Sequence, residues 1–524
     1  MAMGKRRQRQ EALFVMAEGL PRSPGHPFYQ RLNTLLAEAD FDRWIERRCL
    51  QYYAMEETRG QPSLPPGVYF RMLLVGYFEG IDSQRGIAWR CADSLSLRQF
   101  LGVPLDEGTP DPKTLSNTRR RLPEEVFDEV FQFVLRIAAE KGLLHGQTVG
   151  VDSTLLEANA AMKSIVRRDT GEDWKQYVTR LMREEGVIEA EREPTDEEIR
   201  RYDKQRKNKR VSNEEWVSPN DPDARIAQMK DGRTHLAYKA EHVVDLDSDI
   251  ILAAEVYHAC DGDAQTLVDS VMEAVENVRQ AGVENRIEEV AADKGYHAAE
   301  TIELASDLNF RTYIPERKQR HRSRWTNKPE AFQRAVYANR RRVRRAKSKK
   351  LQRLRSELCE RTFAHVCDSG GMRRSWLREV ANVSKRYLIA VAAHNLGRIL
   401  RKLFGIGKPK TMQDLGGFAA LAQLLFILLH ALDDLYRSSS RVYYPPLRCA
   451  AVPSPRTEQT PYFPGLLALA PGAALLFQAV ACAISTRLGE IRWPKAVGDS
   501  ISTILLCRRN SFTVRALRSL NSWS

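Results

Sequence analysis

Residues 149–160 read VGVDSTLLEANA, and this stretch decides the fold because it starts as a buried strand and then places a carboxylate in it. The apolar run Val149-Gly150-Val151 is typical of a central strand, and Asp152 follows directly, before the polar pair Ser153-Thr154. Taken locally, an Asp at a strand end most often forms a turn or caps the next helix. A functional role for Asp152 therefore requires partners elsewhere in the chain.

The 524 residues divide by pattern into a helical first part and a later part in which strands and helices alternate. Apolar residues at helical spacing fill residues 27–146, and from Thr148 the order is strand, insertion, strand, strand, helix, strand, helix, strand. This order predicts an α/β fold, a mixed sheet flanked by helices. The expected ranges are a basic flexible N-terminus (1–26), an all-α domain (27–146), a sheet domain (147–405) with a charged helical insertion (about 160–230), and a helical or irregular tail (406–524).

The positive charge of the chain is concentrated in one segment. The net charge is +14, yet residues 317–355 alone contain seventeen Lys and Arg against one acid, Glu330. Clustered cations favour a polyanionic partner, and nucleic acid fits better than a merely solvated face, which would mix charge signs. Membrane surfaces are the competing polyanion. The candidate DNA-binding residues of this segment are Arg340, Arg341, Arg342, Arg344 and Arg345.

A second candidate for phosphate contact is the short helix in DPKTLSNTRRRL, which presents Arg119 and Arg120. A solvated helix face is an equally good interpretation of these arginines.

The sequence predicts a protein of a reducing cytosol with no membrane span. The eight cysteines form no Cys-x-x-Cys pair, and the basic start of the chain lacks the apolar region of a secretion signal. Residues 466–483 carry no charge, but Pro471 and Gly472 interrupt them, so a buried helix is favoured over a span.

Acidic residues follow two of the predicted strands and a later helix. Asp152 lies in the first strand, Asp293 at the carboxyl end of the fourth, and Glu357 and Glu360 on the helix after the basic segment. Carboxylates that converge repel one another unless a cation neutralises them, and hard oxygen ligands select Mg²⁺ or Mn²⁺. Two such ions support phosphodiester chemistry. Asp261 and Asp263 are expected to cap a helix, and Asp221 and Asp223 to form a turn.

Four blocks give a specific resemblance: VGVDST (149–154), AADKGYH (291–297), ERTFAHV (360–366), and GGMRRSWLREVANVSKRYLIAVAAHNLG (370–397). In this order they resemble the signature blocks of DDE-type transposases from bacterial insertion sequences, over roughly residues 30–430. The resemblance implies a helical DNA-binding domain followed by a ribonuclease-H-like catalytic domain.

Carried onto this chain, the resemblance assigns catalysis and metal binding to Asp152, Asp293 and Glu360, with Glu357 as the fallback for the third acid. Many relatives have a DNA-contacting Lys or Arg after this Glu. Here Cys367 stands about there, so the contact passes to Arg373 or Arg374.

The function implied is recognition of terminal inverted repeats, cleavage at their 3′ ends and joining to target DNA, by a dimer or larger assembly in the bacterial cytoplasm, at the nucleoid. Two alternatives stay open: a ribonuclease-H-like nuclease or resolvase without strand transfer, and a catalytically inactive DNA-binding protein descended from a transposase.

Overall fold

The computed structural model describes residues 25–53, 63–207, 211–317 and 327–409. The predictions for most of the basic N-terminus, for part of the 317–355 segment and for the tail beyond residue 409 lie outside these ranges. Within them, no helix combines the length and the apolar character needed to cross a bilayer.

Helices fill the first part of the chain, as predicted. Their ends follow local signals: α3 begins at Pro66 and is closed by Gly80 at φ 71°, and α7 carries Glu124 and Glu125 in its first turn. The helices are α1 (Pro27–Glu38), α2 (Phe41–Cys49), α3 (Pro66–Glu79), α4 (Gln84–Ala92), α5 (Leu95–Leu101), α6 (Pro112–Arg121) and α7 (Glu124–Glu140).

A mixed sheet follows, and it confirms the predicted α/β fold class. Its strand order is β4-β5-β1-β7-β8, with β6 also paired to β5, and a separate two-stranded sheet joins β2 to β3. The central strand β1 runs antiparallel to β5 and parallel to β7. The strands are β1 (Thr148–Glu157), β2 (Val166–Arg167), β3 (Trp216–Val217), β4 (Arg225–Gln228), β5 (Thr234–Asp245), β6 (Ile251–His258), β7 (Glu289–Ala291) and β8 (Arg311–Tyr313).

The later helices cover both faces of this sheet. Alternate side chains of β1 show the two faces, because Asp152 contacts Arg355 of α13 whereas Ser153 contacts Asp263 of α10. The helices are α8 (Trp174–Glu184), α9 (Asp196–Gln205), α10 (Asp263–Gln280), α11 (Ala299–Asp307), α12 (Glu330–Val343), α13 (Ala346–Phe363) and α14 (Val380–Phe404).

The insertion between β1 and β5 contains more than the predicted charged helices. Helices α8 and α9 share a small core of their own, formed by Val178, Met182, Ile188 and Ile199. Strand β4 was not predicted, since its four residues are too short for a clear alternation, and it extends the main sheet by pairing with β5.

The long helix α14 contacts both parts of the chain: it packs against α3 and α7 of the helical part and against β6 of the sheet. Its Asn395 accepts a hydrogen bond from the Ile251 amide and donates one to the Ile251 carbonyl. The change from helices to strands falls between Glu140 and Thr148, and the domain boundaries themselves stay a prediction.

Candidate active site

Of the two predicted aspartates, Asp152 lies in β1, and Asp293 follows the end of the neighbouring parallel strand β7. The register pairs Gly150 of β1 with Ala291 of β7, and Asp152 and Asp293 follow two residues later in each chain segment. The β1–β7 pairing ends before these two positions, but the charge of Asp293 acts on the Asp152 carboxyl, so the two carboxylates lie near each other. Burial raises the pKa of the Asp152 carboxyl, and the charge of Asp293 adds to that rise.

The backbone after Asp293 turns tightly around its carboxylate. Asp293 precedes the short 3₁₀ helix Lys294–Tyr296 and accepts a hydrogen bond from the Gly295 amide. A Cβ atom at Gly295 would lie 2.8 Å from Oδ1 of Asp293 and 2.9 Å from Oδ2 of Asp263. Glycine therefore lets two carboxylates approach one backbone position, and a Cβ there would make both Asp side chains shift.

Arg355 holds the Asp152 carboxylate from the α13 side. Its Nη1 donates to Asp152 Oδ2 at 2.7 Å, while Asp152 Oδ1 accepts from the Ser153 amide at 3.0 Å. The Arg355 guanidinium opposes the burial-driven rise in the pKa of Asp152. Its Nε is buried and finds no acceptor within the described ranges, so the pair with Asp152 is its main polar contact.

Glu360 and Glu357 lie on α13 but contact different partners. Glu360 is exposed and accepts a hydrogen bond from Ser356 Oγ at 2.9 Å. Glu357 lies 3.9 Å from Arg361, and its charge raises the pKa of Asp249 in the turn between β5 and β6.

Glu360 adjoins the part of α13 that reaches the first aspartate. Burial raises the pKa of the Cys359 thiol well above its ordinary value, and the charges of Asp152 and Glu360 both add to it. The three acids are nevertheless not preassembled: in the described part of the chain, no group of three or more His, Cys, Asp or Glu side chains is arranged to hold a metal ion.

A buried polar network lies on the α10 face of the sheet, where Asp263 approaches the turn that holds Asp293. Lys239 Nζ, on a side chain only 4% exposed, lies 2.8 Å from Thr266 Oγ1, 3.7 Å from Glu241 Oε2 and 3.6 Å from Asp263 Oδ1. Tyr296, in the turn after Asp293, donates to Glu241 Oε2 at 2.9 Å.

The same network reaches the strand of the first aspartate. Ser153, next to Asp152 in β1, donates its hydroxyl to Asp263 Oδ1 at 3.0 Å. Residues adjacent to both aspartates are thus tied to one set of buried charges.

Sequence reasoning missed this network. Asp263 was expected to cap α10, but it is the first residue of that helix and its carboxylate turns to Ser153 and Lys239. The signal that could have shown it is the pair Lys239 and Glu241, two charges at alternate positions of an apolar strand.

The predicted turn at Asp221 and Asp223 forms, with the Ala224 amide donating to the Asp221 carbonyl at 3.2 Å, and both acids also make long-range contacts. Asp221 is fully buried and accepts from Tyr238 at 2.7 Å and from the Glu379 amide at 3.1 Å. Asp223 accepts from the Val380 amide at 3.1 Å, so the two acids anchor the start of α14.

The five candidate arginines at the end of α12 divide into two groups. Arg340 donates to Glu316 at 2.6 Å, and Arg342 donates to the Thr312 carbonyl at 2.9 Å, so both are engaged within the protein. Exposed members of the set are Arg341, Arg344 and Arg345.

The remaining candidate arginines lie beyond the carboxyl half of β1 and on α6. Arg373 donates to Thr154 Oγ1 at 3.1 Å, and the exposed Arg374 lies over the Trp376 ring at 4.8 Å. On α6, Arg120 is exposed, whereas Arg119 is partly buried with two N–H groups that lack an acceptor in the described ranges.

Comparison with known proteins identifies the family. Residues 195–396 match the transposase DDE domain, which contains Asp293 and Glu360, and residues 19–121 match a transposase domain (DUF772) that covers α1 to α6. No curated protein matches the chain. The two family matches, in the order that the sequence blocks predicted, show that the chain belongs to the DDE transposases of insertion sequences.

Proposed function

We propose that this transposase binds the terminal inverted repeats of its element, cuts the DNA at their 3′ ends and joins these ends to target DNA. The observation that carries the proposal is the placement of Asp152 in β1 and of Asp293 just after the parallel neighbour β7, in a chain whose residues 195–396 match a DDE domain. Because two ends are joined together, the proposal includes an assembly of at least two chains that acts on chromosomal DNA in a bacterial cytoplasm.

The donor set fits a divalent cation. Asp152 and Asp293 present hard carboxylate oxygens to one space, and Glu360 on α13 is the proposed third ligand for Mg²⁺ or Mn²⁺, with two ions expected. The chemistry that such ions supply is activation of an attacking hydroxyl and stabilisation of the leaving oxygen. The fit requires Arg355 to release Asp152 Oδ2, which it holds at 2.7 Å.

The network behind the sheet gives the two aspartates a fixed spacing in this proposal. Lys239 and Glu241 form a rigid base because they are almost fully buried and share Thr266 as a hydrogen-bond partner. Ser153 and Tyr296 attach the two strands to that base. Their role is to position the carboxylates, and they do not touch the DNA in this account.

DNA contact is assigned to the exposed arginines of the candidate set. Arg341, Arg344 and Arg345 form one group, and Arg120 and Arg374 are also exposed. The partly buried Arg373 is included because it contacts Thr154 in the carboxyl half of β1. Such side chains bind phosphates without reading sequence, so recognition of the repeats requires further contacts.

One observation favours the second candidate, an inactive DNA-binding descendant. Asp152 is already paired with Arg355, and the third acid is not assembled with the other two in the described residues. A nuclease without strand transfer is the remaining alternative.

A strand-transfer assay with labelled oligonucleotides that carry the ends of the element separates these functions, since it gives joined products, cleavage alone or binding alone. Asp152→Asn or Asp293→Asn should reduce cleavage to background and leave binding of the ends unchanged, because a ligand is lost without altering the basic surface. Asp247→Asn, at an exposed turn position, is the control. Wild-type cleavage by either site variant would contradict the assignment.

A further inference from the structure

A cavity lies where the end of β1 meets the helical part of the chain. It has a volume of about 180 Å³, and its walls include Tyr69 of α3, Phe127 of α7, Leu156 of β1 and Trp376. Arg119 of α6 and Arg386 of α14 also line the cavity. A dry cavity of about 150 Å³ is enough to hold a benzene ring, so a single planar ring fits here, whereas a duplex does not.

Among the described residues, the arginines lining this cavity bring in more positive charge than its one lining acid, Asp82, whose charge acts on Arg386. Nε and Nη1 of Arg119 are buried and have no acceptor in the described ranges. Arg386 donates only to the Ile81 carbonyl, at 3.0 Å. The acid lining the cavity, Asp82, accepts a hydrogen bond from the Trp376 ring at 2.7 Å.

Burial and mutual repulsion make this arrangement costly. Burial, with a smaller contribution from the charge of Arg119, lowers the pKa of Arg386 to about 10, and the charges of Tyr69 and Asp82 oppose this change. Buried cations are normally paired or hydrogen-bonded to an anion. The cavity therefore has the charge, the unsatisfied donors and the space for an anionic group that is not part of the described chain.

The position of the cavity relates it to the candidate active site. Asp152, Thr154 and Leu156 alternate along β1 and so point to one face of the sheet. Arg355 contacts Asp152, and Arg373 contacts Thr154. Leu156 lines the cavity. Four residues of strand span about 13 Å, so a DNA strand reacting at Asp152 passes within reach of the cavity.

We infer that the cavity binds one unpaired nucleotide of the DNA, with its phosphodiester on Arg119 and Arg386 and its base against Trp376. The inference rests on the proposed function and adds the form of DNA that the site accepts. Guanidinium groups bind phosphate oxygens, and aromatic rings stack on unpaired bases without sequence preference. Trp376 is suited to this contact because it is 49% exposed and already stacks on the Arg374 guanidinium.

The test compares two fluorescein-labelled DNAs by anisotropy: a blunt duplex carrying the end of the element, and the same duplex with a short oligo-dT overhang. The full chain should bind the overhang duplex more tightly. Arg119→Gln should weaken binding of the overhang duplex about tenfold, because one charge-assisted hydrogen bond is lost. It should change binding of the blunt duplex less than about twofold. Trp376→Ala should remove the same preference without any change in charge.

Arg120→Gln is the matched control, since Arg120 is the exposed neighbour on the same helix and should affect both DNAs equally. Equal effects of Arg119→Gln on both DNAs would overturn the inference, as would a wild-type protein without preference for the overhang. If a wild-type protein without this preference still joined DNA ends, the proposed function would hold and only the inference would be wrong. If the wild-type protein bound neither DNA, both the inference and the proposed function would be overturned.

Discussion

On the α13 face of β1, Asp152 is held by one guanidinium and one backbone amide, whereas on the α10 face Glu241 is held by Lys239, Thr266 and Tyr296. The first carboxylate keeps 24% of its side chain exposed and the second is fully buried. The difference separates the tasks of the two faces of the sheet, at Asp152 in β1 and Glu241 in β5. On the α13 face, the Asp152 carboxylate can exchange Arg355 for another partner. On the α10 face, the contacts of Glu241 hold the backbone near Asp152 in place.

The largest expected effect concerns the third acid on the open face. Glu360→Gln should reduce cleavage to background, because the proposed metal site loses a ligand. Glu357→Gln, three residues earlier on the same helix, should retain cleavage, since Glu357 contacts Arg361 and acts on Asp249. Both variants are measured with the end-cleavage assay. If Glu357→Gln lost cleavage and Glu360→Gln kept it, Glu357 would be the third acid instead of Glu360.

On the closed face, Lys239→Met should cost the most stability. The substitution leaves the Glu241 carboxylate, whose pKa burial already raises, without its cation, and breaking a buried ion pair costs about 3–5 kcal/mol. Urea unfolding measures this loss. Tyr296→Phe removes one hydrogen bond of the same network and should cost about 1–3 kcal/mol. Wild-type stability in both variants would mean that the network does not support the sheet.

Arg355→Gln should give an effect that depends on pH. The charge of Arg355 opposes the burial-driven rise in the pKa of Asp152, so its removal raises that pKa further. The cost in the free energy of unfolding should be about 1–3 kcal/mol at neutral pH, where Asp152 is ionised, and should shrink as the pH falls and Asp152 becomes protonated. Urea unfolding from pH 8 to about pH 4 tests the sign. A cost that stays constant over this range would exclude the charge interaction.

The smallest effect is expected on the basic helix. Arg344→Gln should weaken DNA binding and reduce the slope of log affinity against log salt by about one, because one exposed phosphate contact is lost. Arg342→Gln should leave that slope unchanged, since Arg342 bonds to Thr312, and should instead lower stability. If Arg344→Gln and Arg342→Gln gave equal salt slopes, Arg344 would not be a DNA contact.

The order of strands and helices along the chain, and the positions of the aspartates, could be predicted from sequence because they follow from periodicity and from acids at strand ends. The hairpin of β5 and β6 and the crossover helix α10 were predicted for the same reason. Strand β4 was not, since its pairing depends on the distant β5.

Side-chain partners over long separations could not be predicted. Arg355 lies 203 residues from Asp152, and Ser153 lies 110 residues from Asp263. No local pattern shows which of many arginines turns inward. Arg340 and Arg342 illustrate this limit, because they share a basic run with Arg344 but bond to Glu316 and Thr312.

The most direct test of the central claim, that Asp152 and Asp293 serve one metal site, is calorimetric titration of Mn²⁺ into the wild type, Asp152→Asn, Asp293→Asn and the double variant. Each single substitution should weaken Mn²⁺ binding at least about tenfold, since even substitutions outside the ligand set cost about 10- to 100-fold. The double variant should be little weaker than either single one, because both residues act on the same ions. Wild-type Mn²⁺ affinity in both single variants would contradict the account.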